Sequence, residues 1–393
     1  MKLLIKNIDM VSAEGNFRGD IYVENGIIKE IGINLEKHCE IIDGHGNTLM
    51  PSFVDMHCHF RDPGYTFKEN LETGSKAAVK GGYTAVNLMA NTNPICSDMN
   101  TFNYVMNKGK ELNITEINQI VSATKDMKGD SIEHLNHLTE EVRFISDDGV
   151  GVNSDKIMYE AMMKAKEKNL ILISHAETSV FSKIDMRLAE NMMTFRDIAL
   201  CEHTKAKVHI AHVSTKESIE AIINAKNRGT NLTCEVTPHH LALSNSDYRV
   251  NPPIREEEDV EALIKAIKEN YVDCIATDHA PHREEDKKKG APGISGIETS
   301  FSLCYTKLVR EGHISLNKLS EIMSKNPSKL MNINSGEIKP GLRANLVLVD
   351  LNKKYIIDST EFQSKGKNTP FNGREVYGEV LITIKDGEIK YRK

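Results

Sequence analysis

No stretch of the 393-residue chain approaches the roughly 18 consecutive apolar residues that a membrane-spanning helix requires, which argues against a membrane protein. Excess positive charge is also missing. The formal net charge is −6, so no global field draws in phosphate backbones and nucleic acid is not expected as a partner. The run Lys287–Lys289 lies beside Glu284, Glu285 and Asp286 and reads as a solvated loop. No Cys-x-x-Cys pair occurs, and seven cysteines, an odd number, do not make a disulfide framework. A reducing, cytoplasmic setting is expected, with Cys58 and Cys274 as small core residues rather than ligands. The opening MKLLIKNIDMVSAEG alternates like a strand and lacks the apolar core and cleavage site of a signal peptide. The glycines form no phosphate-binding loop, and no Ser-His-Asp or reactive-cysteine arrangement is evident.

What is present is the composition of an ordinary soluble globular protein, 39% hydrophobic and 27% charged. Strand-length apolar runs recur through the middle of the chain, each followed by helical spacing, which predicts repeated βα units. The runs are 53–60, 84–90, 114–124, 141–149, 169–177, 206–214, 232–241 and 273–281, with helices such as Glu69–Lys80, Ile157–Lys168, Lys216–Arg228 and Val260–Asn270 between them. Such units, joined by right-handed crossovers, can close into a (β/α)₈ barrel. Residues 1–50 and 338–393 are instead rich in short strands and tight turns, including Asn25-Gly26 and Asp386-Gly387. The segments DIYVENGIIKEIG and VLITIKDGEIKYRK echo each other. We therefore expect a small β-sandwich built from both termini, with the barrel at 51–337 inserted between them.

His and Asp residues fall at the C-terminal ends of five of the predicted strands, the end where barrel enzymes build active sites. They are His57, His59, either Asp147 or Asp148, His175, His212 and Asp278. His57 and His59 are two apart, so strand alternation puts both on one side. A lone histidine on an apolar strand is more often a hydrogen-bonded core residue, but separate partners for six such groups are a costlier explanation than one shared cation site. Nitrogen and oxygen donors without thiolates suit zinc, manganese or iron. Six ligands exceed one tetrahedral ion and fit two, with His57, His59 and Asp278 on one and His175 and His212 on the other. A site of this kind ionises water near neutral pH and leaves Asp278 free to move protons.

These residues resemble the amidohydrolase superfamily and, more narrowly, the type I dihydroorotases. The narrower likeness is carried by His59-Phe60-Arg61-Asp62-Pro63-Gly64, Met89-Ala90-Asn91-Thr92-Asn93-Pro94, Asp147-Asp148-Gly149, His209-Ile210-Ala211-His212-Val213-Ser214-Thr215, Asn251-Pro252-Pro253-Ile254-Arg255, Ala276-Thr277-Asp278-His279-Ala280-Pro281-His282 and Lys367-Asn368-Thr369-Pro370-Phe371, in family order over nearly the whole chain. The resemblance implies that Asp148 bridges two zinc ions where other members use a carboxylated lysine. It also implies that Arg61, Asn91 and His282 hold the substrate carboxylate, that His59 and Asn251 contact the substrate, and that backbone near Pro292 and Gly293 does so too. His239 and His240 resemble residues not used as ligands. The implied reaction interconverts L-dihydroorotate and N-carbamoyl-L-aspartate in pyrimidine synthesis. Rival readings are a hydantoinase, dihydropyrimidinase or allantoinase activity, and a non-catalytic scaffold for aspartate transcarbamoylase. For partners, the resemblance points to a homodimer and to association with aspartate transcarbamoylase. Three features depart from the family pattern: Ala90 replaces a common proline, the stretch between His175 and His212 is short, and Ala291-Pro292-Gly293 lacks a residue before the glycine.

Overall fold

The computed structural model describes residues 2–393, and both termini enter one sheet. The N-terminal segment supplies β1 (Lys2–Ser12), β2 (Gly15–Glu24), β3 (Ile27–Gly32), β4 (Glu40–Asp43) and β5 (Thr48–Pro51). The β2–β3 hairpin turns through Asn25 (φ 51°) and Gly26 (φ 75°), the paired left-handed residues that match the twist of a two-residue loop.

Eight short parallel strands follow: β6 (Phe53–Cys58), β7 (Tyr83–Leu88), β8 (Glu116–Gln119), β9 (Phe144–Ile145), β10 (Ile171–Ser174), β11 (Lys207–Ile210), β12 (Leu232–Val236) and β13 (Cys274–Ile275). They pair in two runs, β6 to β8 and β9 to β13. Single parallel bridges, Val121 with Ile145 and Cys58 with His279, join the runs at both seams and close the barrel. The strands are shorter than the apolar runs in the sequence. The backbone leaves extended geometry at the barrel mouth, where His212 (φ 32°) and Asp278 (φ 45°) are left-handed. Such a conformation costs a non-glycine residue about 1–3 kcal/mol and turns its side chain out of the strand's alternation.

The outer helices begin where the sequence offers a capping oxygen. Asn70 caps α1 (Leu71–Lys80), Asp98 caps α2 (Met99–Leu112), Ser154 caps α3 (Asp155–Glu167), Asp185 caps α4 (Met186–Thr204) and Thr215 caps α5 (Lys216–Asn227), each accepting from a first-turn N–H. Two more, α6 (Pro238–Ala242) and α7 (Glu257–Lys268), follow β12. Residues Glu284–Lys288, read from sequence as a solvated loop, form a helical turn, α8, held by Arg283 bonded to Asp286 and by a Lys288–Glu284 pair.

The C-terminal strands β14 (Leu346–Ile356), β15 (Glu375–Lys385) and β16 (Glu388–Arg392) complete an eight-stranded sheet ordered β16-β15-β14-β5-β1-β2-β3, with β4 on β1. It curls around a core that includes Ile5, Ile21, Ile28, Leu49, Leu346 and Ile384, so its two ends meet. The echo between the two hairpin sequences has a spatial counterpart. Ala344 donates to Gly26 O at 2.7 Å and accepts from Gly387 N at 3.0 Å, clamping the turns together.

One buried ion pair fixes the outer helices to the mouth. The Glu190 carboxylate on α4 accepts from Ser214 N (2.9 Å), Thr215 N (3.1 Å) and Arg255 Nη2 (3.0 Å), while Arg255 Nε donates to Ser214 Oγ (2.9 Å). Arg255→Ala strands a buried carboxylate, and we expect a loss of about 3–5 kcal/mol in denaturant unfolding. A variant as stable as the parent would show that Glu190 finds another partner.

Candidate active site

The H-x-H pair sits at the end of β6. His57 is fully buried and its Nδ1 lies 2.7 Å from Glu235 Oε1 on β12. A carboxylate in that position accepts the Nδ1–H hydrogen bond and turns Nε2 towards the barrel mouth, the orientation a ligating ring needs. That Nε2 lies 3.3 Å from Asp148 Oδ1 and 3.5 Å from Asp278 Oδ1. His59 Nε2 is 3.0 Å from Asp278 Oδ1 and 3.4 Å from Asp148 Oδ2. From the next strands, His175 Nδ1 lies 3.3 Å from Asp148 Oδ1 and 2.9 Å from His212 Nε2. Thus His57, His59, Asp148, His175, His212 and Asp278, spread over more than 220 residues of sequence, meet at one rim with Asp148 at the centre.

The donor chemistry fits cations. His57 Nε2 and Asp148 Oδ1 are both buried with no hydrogen-bond partner among the described residues, although they face each other. Buried polar atoms left unanswered in this way are costly unless a cation joins them. Two overlapping groups, His57-His59-Asp278 and His57-Asp148-His212, have ligand atoms within 4.8 Å of one another. Burial alone would raise the Asp148 and Asp278 carboxyls, but the surrounding imidazoles outweigh it and hold both below the usual carboxylate range, ionised and ready to ligate.

Strand alternation left Asp147 and Asp148 open, and the geometry separates them. Asp147 turns away to accept from Thr124 N at 2.9 Å and from its hydroxyl, and burial pushes its carboxyl up to about 6. Cys58 and Cys274 are buried and free, and burial keeps both thiols protonated. His240 bonds Thr237 and Pro252 O, away from the cluster. His239 is buried behind the cluster, its Nε2 lacking a hydrogen-bond partner among the described residues.

Above the cluster opens a cavity of about 200 Å³. Arg61, Asn91, Asn251, His282, Pro292 and Gly293 line it together with every cluster residue except the fully buried His57. Two carboxylates close to Arg61 in sequence, Asp62 and Glu69, are the obvious candidates to pair with it. Asp62 instead binds Lys108 (2.8 Å) and Tyr104 (3.1 Å), and Glu69 binds Ser364 and Thr73, so Arg61 is left to the cavity. Asn91 bridges His59 Nδ1 (2.9 Å) and Asp148 (3.3 Å). Gly293 (φ 133°) must be glycine, since a Cβ would come within 2.7 Å of the Ala280 Cβ.

Three participants escaped the sequence reading. Glu235 accepts from His57, from His209 Nε2 (3.1 Å) and from the backbone of His212 (3.2 Å). A carboxylate in the middle of the apolar run LTCEV was the available signal, because it needs buried donors. Glu177, two residues beyond His175 and on its side of the chain, lies 3.1 Å from His175 Nε2 and also binds Asn251. Asn368, near the C-terminus, donates to Ala280 O (3.2 Å) and Gly293 O (3.0 Å) and accepts from His282 N (2.9 Å).

A closed parallel barrel with histidines and carboxylates gathered at its C-terminal mouth defines a hydrolase of the cation-dependent barrel class, and the comparisons agree. Residues 48–390 match the amidohydrolase family, to which the chain belongs. It is 56% identical to a dihydroorotase of Clostridium botulinum (strain Eklund 17B), with the whole of both chains aligned. A dihydroorotase of Ruminiclostridium cellulolyticum is 40% identical across all of this chain and 99% of its own. Within the family the chain therefore sits among the dihydroorotases. Of solved structures, the L-hydantoinase of Arthrobacter aurescens superposes with a TM-score of 0.90 at 24% identity, covering 98% of this chain and 95% of its own, a likeness of fold.

Glu235→Gln keeps the volume but replaces one of two acceptor oxygens with a donor. Metal affinity should fall about 10–100-fold, as for other groups that orient a ligating histidine. Competition with a chromophoric chelator measures this, and unchanged affinity would show that His57 is oriented without the carboxylate.

Proposed function

We infer that the protein is a dihydroorotase, a cyclic amide hydrolase that interconverts L-dihydroorotate and N-carbamoyl-L-aspartate in pyrimidine synthesis. The observation that carries the reading is Arg61. Its guanidinium is free of carboxylate partners from its own loop and lines the same cavity as the His/Asp cluster. A planar fork of donors beside a hydrolytic centre suits a cyclic amide that bears a carboxylate.

We assign the cluster to two zinc ions, one of which His57, His59 and Asp278 would hold and the other His175 and His212, with Asp148 available to both. When bound, such cations supply Lewis acidity and bring the ionisation of water near neutral pH. The chain's own residues do the rest. Arg61, Asn91 and His282 hold the substrate carboxylate, Asn251 steadies the ring, and backbone at Pro292 and Gly293 closes the remaining side. Asp278, kept ionised and 3.0 Å from His59 Nε2, accepts a proton from the attacking water and delivers it to the departing ring nitrogen. Ring closure runs the same steps backwards.

The hydantoinase alternative shares the fold but has no use for a cationic clamp in the cavity. The scaffold alternative is disfavoured by the intact convergence of all six His and Asp side chains. Among the described residues no helix is long and apolar enough to cross a membrane. We also propose a homodimer, supported by the exposed apolar side chains Val180, Ile184, Leu188, Met192 and Phe195 on and before α4.

Metal-replete protein should open L-dihydroorotate, and Asp278→Asn should lower kcat about 10²–10⁴-fold. Arg61→Met should raise KM for L-dihydroorotate while leaving any turnover of uncharged hydantoin unchanged. Faster turnover of hydantoin than of L-dihydroorotate by the parent would refute the assignment.

A further inference from the structure

One contact in the cavity is a mismatch as it stands. Arg61 Nη2 lies 3.4 Å from His282 Nε2, while on the opposite edge of the same ring Lys68 Nζ lies 3.2 Å from His282 Nδ1. Ammonium and guanidinium both offer only donors, so a neutral ring can answer just one of them, and the shorter contact, to Lys68, takes the Nδ1 lone pair. The proton of a neutral imidazole then sits on the other nitrogen, Nε2. The ring is neutral, because burial and the adjacent Arg61 and Lys68 charges push His282 down to about 3. His282 Nε2–H and Arg61 Nη2–H are therefore two donors at the same edge of the cavity. Neither can satisfy the other, and both serve only a third group that accepts from two sides.

The surroundings hold this arrangement in place. His282 is 7% exposed and its backbone N–H is tied to Asn368 Oδ1 at 2.9 Å. Lys68, half-buried on the loop between β6 and α1, donates its backbone N–H to Tyr65 O at 2.8 Å, and its ammonium has Asp286 Oδ2 at 3.9 Å as counter-charge. Arg61 is set by a left-handed backbone (φ 59°), and its Nε is buried without a partner among the described residues.

We propose that Lys68 is a positioning residue: by occupying His282 Nδ1 it fixes the ring as the Nε2–H tautomer, so that His282 and Arg61 together present a two-donor seat for the carboxylate of the cyclic substrate. This rests on the dihydroorotase reading above for the identity of that carboxylate, whereas the tautomer rests on the Lys68 contact alone. Lys68 does not touch the reacting amide, so its removal weakens capture of the anionic ligand and spares the chemical step.

The test separates these levels. In zinc-loaded protein labelled with ¹⁵N-histidine, without substrate, the His282 signals, assigned by their loss in His282→Gln, should show a protonated Nε2 and an unprotonated Nδ1. Lys68→Met should convert them to the other tautomer or to a mixture, and Lys68→Arg, which again offers only donors, should restore them. Kinetically, Lys68→Met should raise KM for L-dihydroorotate tenfold or more with kcat within about threefold, and the effect should vanish in a His282→Gln background. A parent His282 protonated on Nδ1 overturns the proposal. So does a KM increase of the same size in the His282→Gln background, which would make Lys68 a remote charge. Parent protein with the expected tautomer but no activity on L-dihydroorotate would overturn the substrate reading instead.

Discussion

The Glu235 carboxylate, sealed inside the barrel, is the interaction on which the site depends. It accepts from the His57 and His209 rings and from the backbone of His212, joining β6, β11 and β12 at one point. An unpaired carboxylate there would be prohibitively costly, so burial and pairing enforce each other. The Nδ1–H of His57 is committed to Glu235, which leaves His57 Nε2 aimed at Asp148 without a hydrogen-bond partner among the described residues. The convergence of acceptors at the mouth follows from that commitment. Burial in a low-dielectric interior then makes a cation the inexpensive answer.

Strain and support are paired in the same way around the rim. Arg61, His212 and Asp278 all carry left-handed backbones that a non-glycine residue adopts at a cost. Each is flanked by bonds that hold it: the Tyr65 N–H on Arg61 O, the His212 N–H on Glu235, and the His59 N–H on His279 O beside Asp278. Ordinary strand ends would point these side chains along the alternation of the sheet. The bends gather them instead over one cavity.

How much of this was legible in the sequence depended on range. Hairpins at Asn25-Gly26 and Asp386-Gly387 were readable because the turn demands a residue type locally. The barrel was readable from repeated apolar runs, and the His and Asp residues from their common place at the ends of those runs. The strands' true lengths were not, because the bends at His212 and Asp278 are imposed by partners far away in the chain. Asp147 and Asp148 looked equivalent until Thr124 claimed one of them. Glu235 was hidden as a single acidic residue inside an apolar strand, and Lys68 and Asn368 as ordinary polar residues whose partners lie 214 and 86 positions away in His282.

Asn368 gives the two-part architecture a further meaning. It lies on the connection between β14 and β15 of the terminal sheet, yet its amide clasps Ala280 and Gly293 and steadies His282, so part of the wall around the cavity is borrowed from outside the barrel. The barrel and its companion are therefore poor candidates for modular exchange. A barrel transplanted without the returning C-terminal chain would keep its cation ligands and lose the brace that shapes the substrate side.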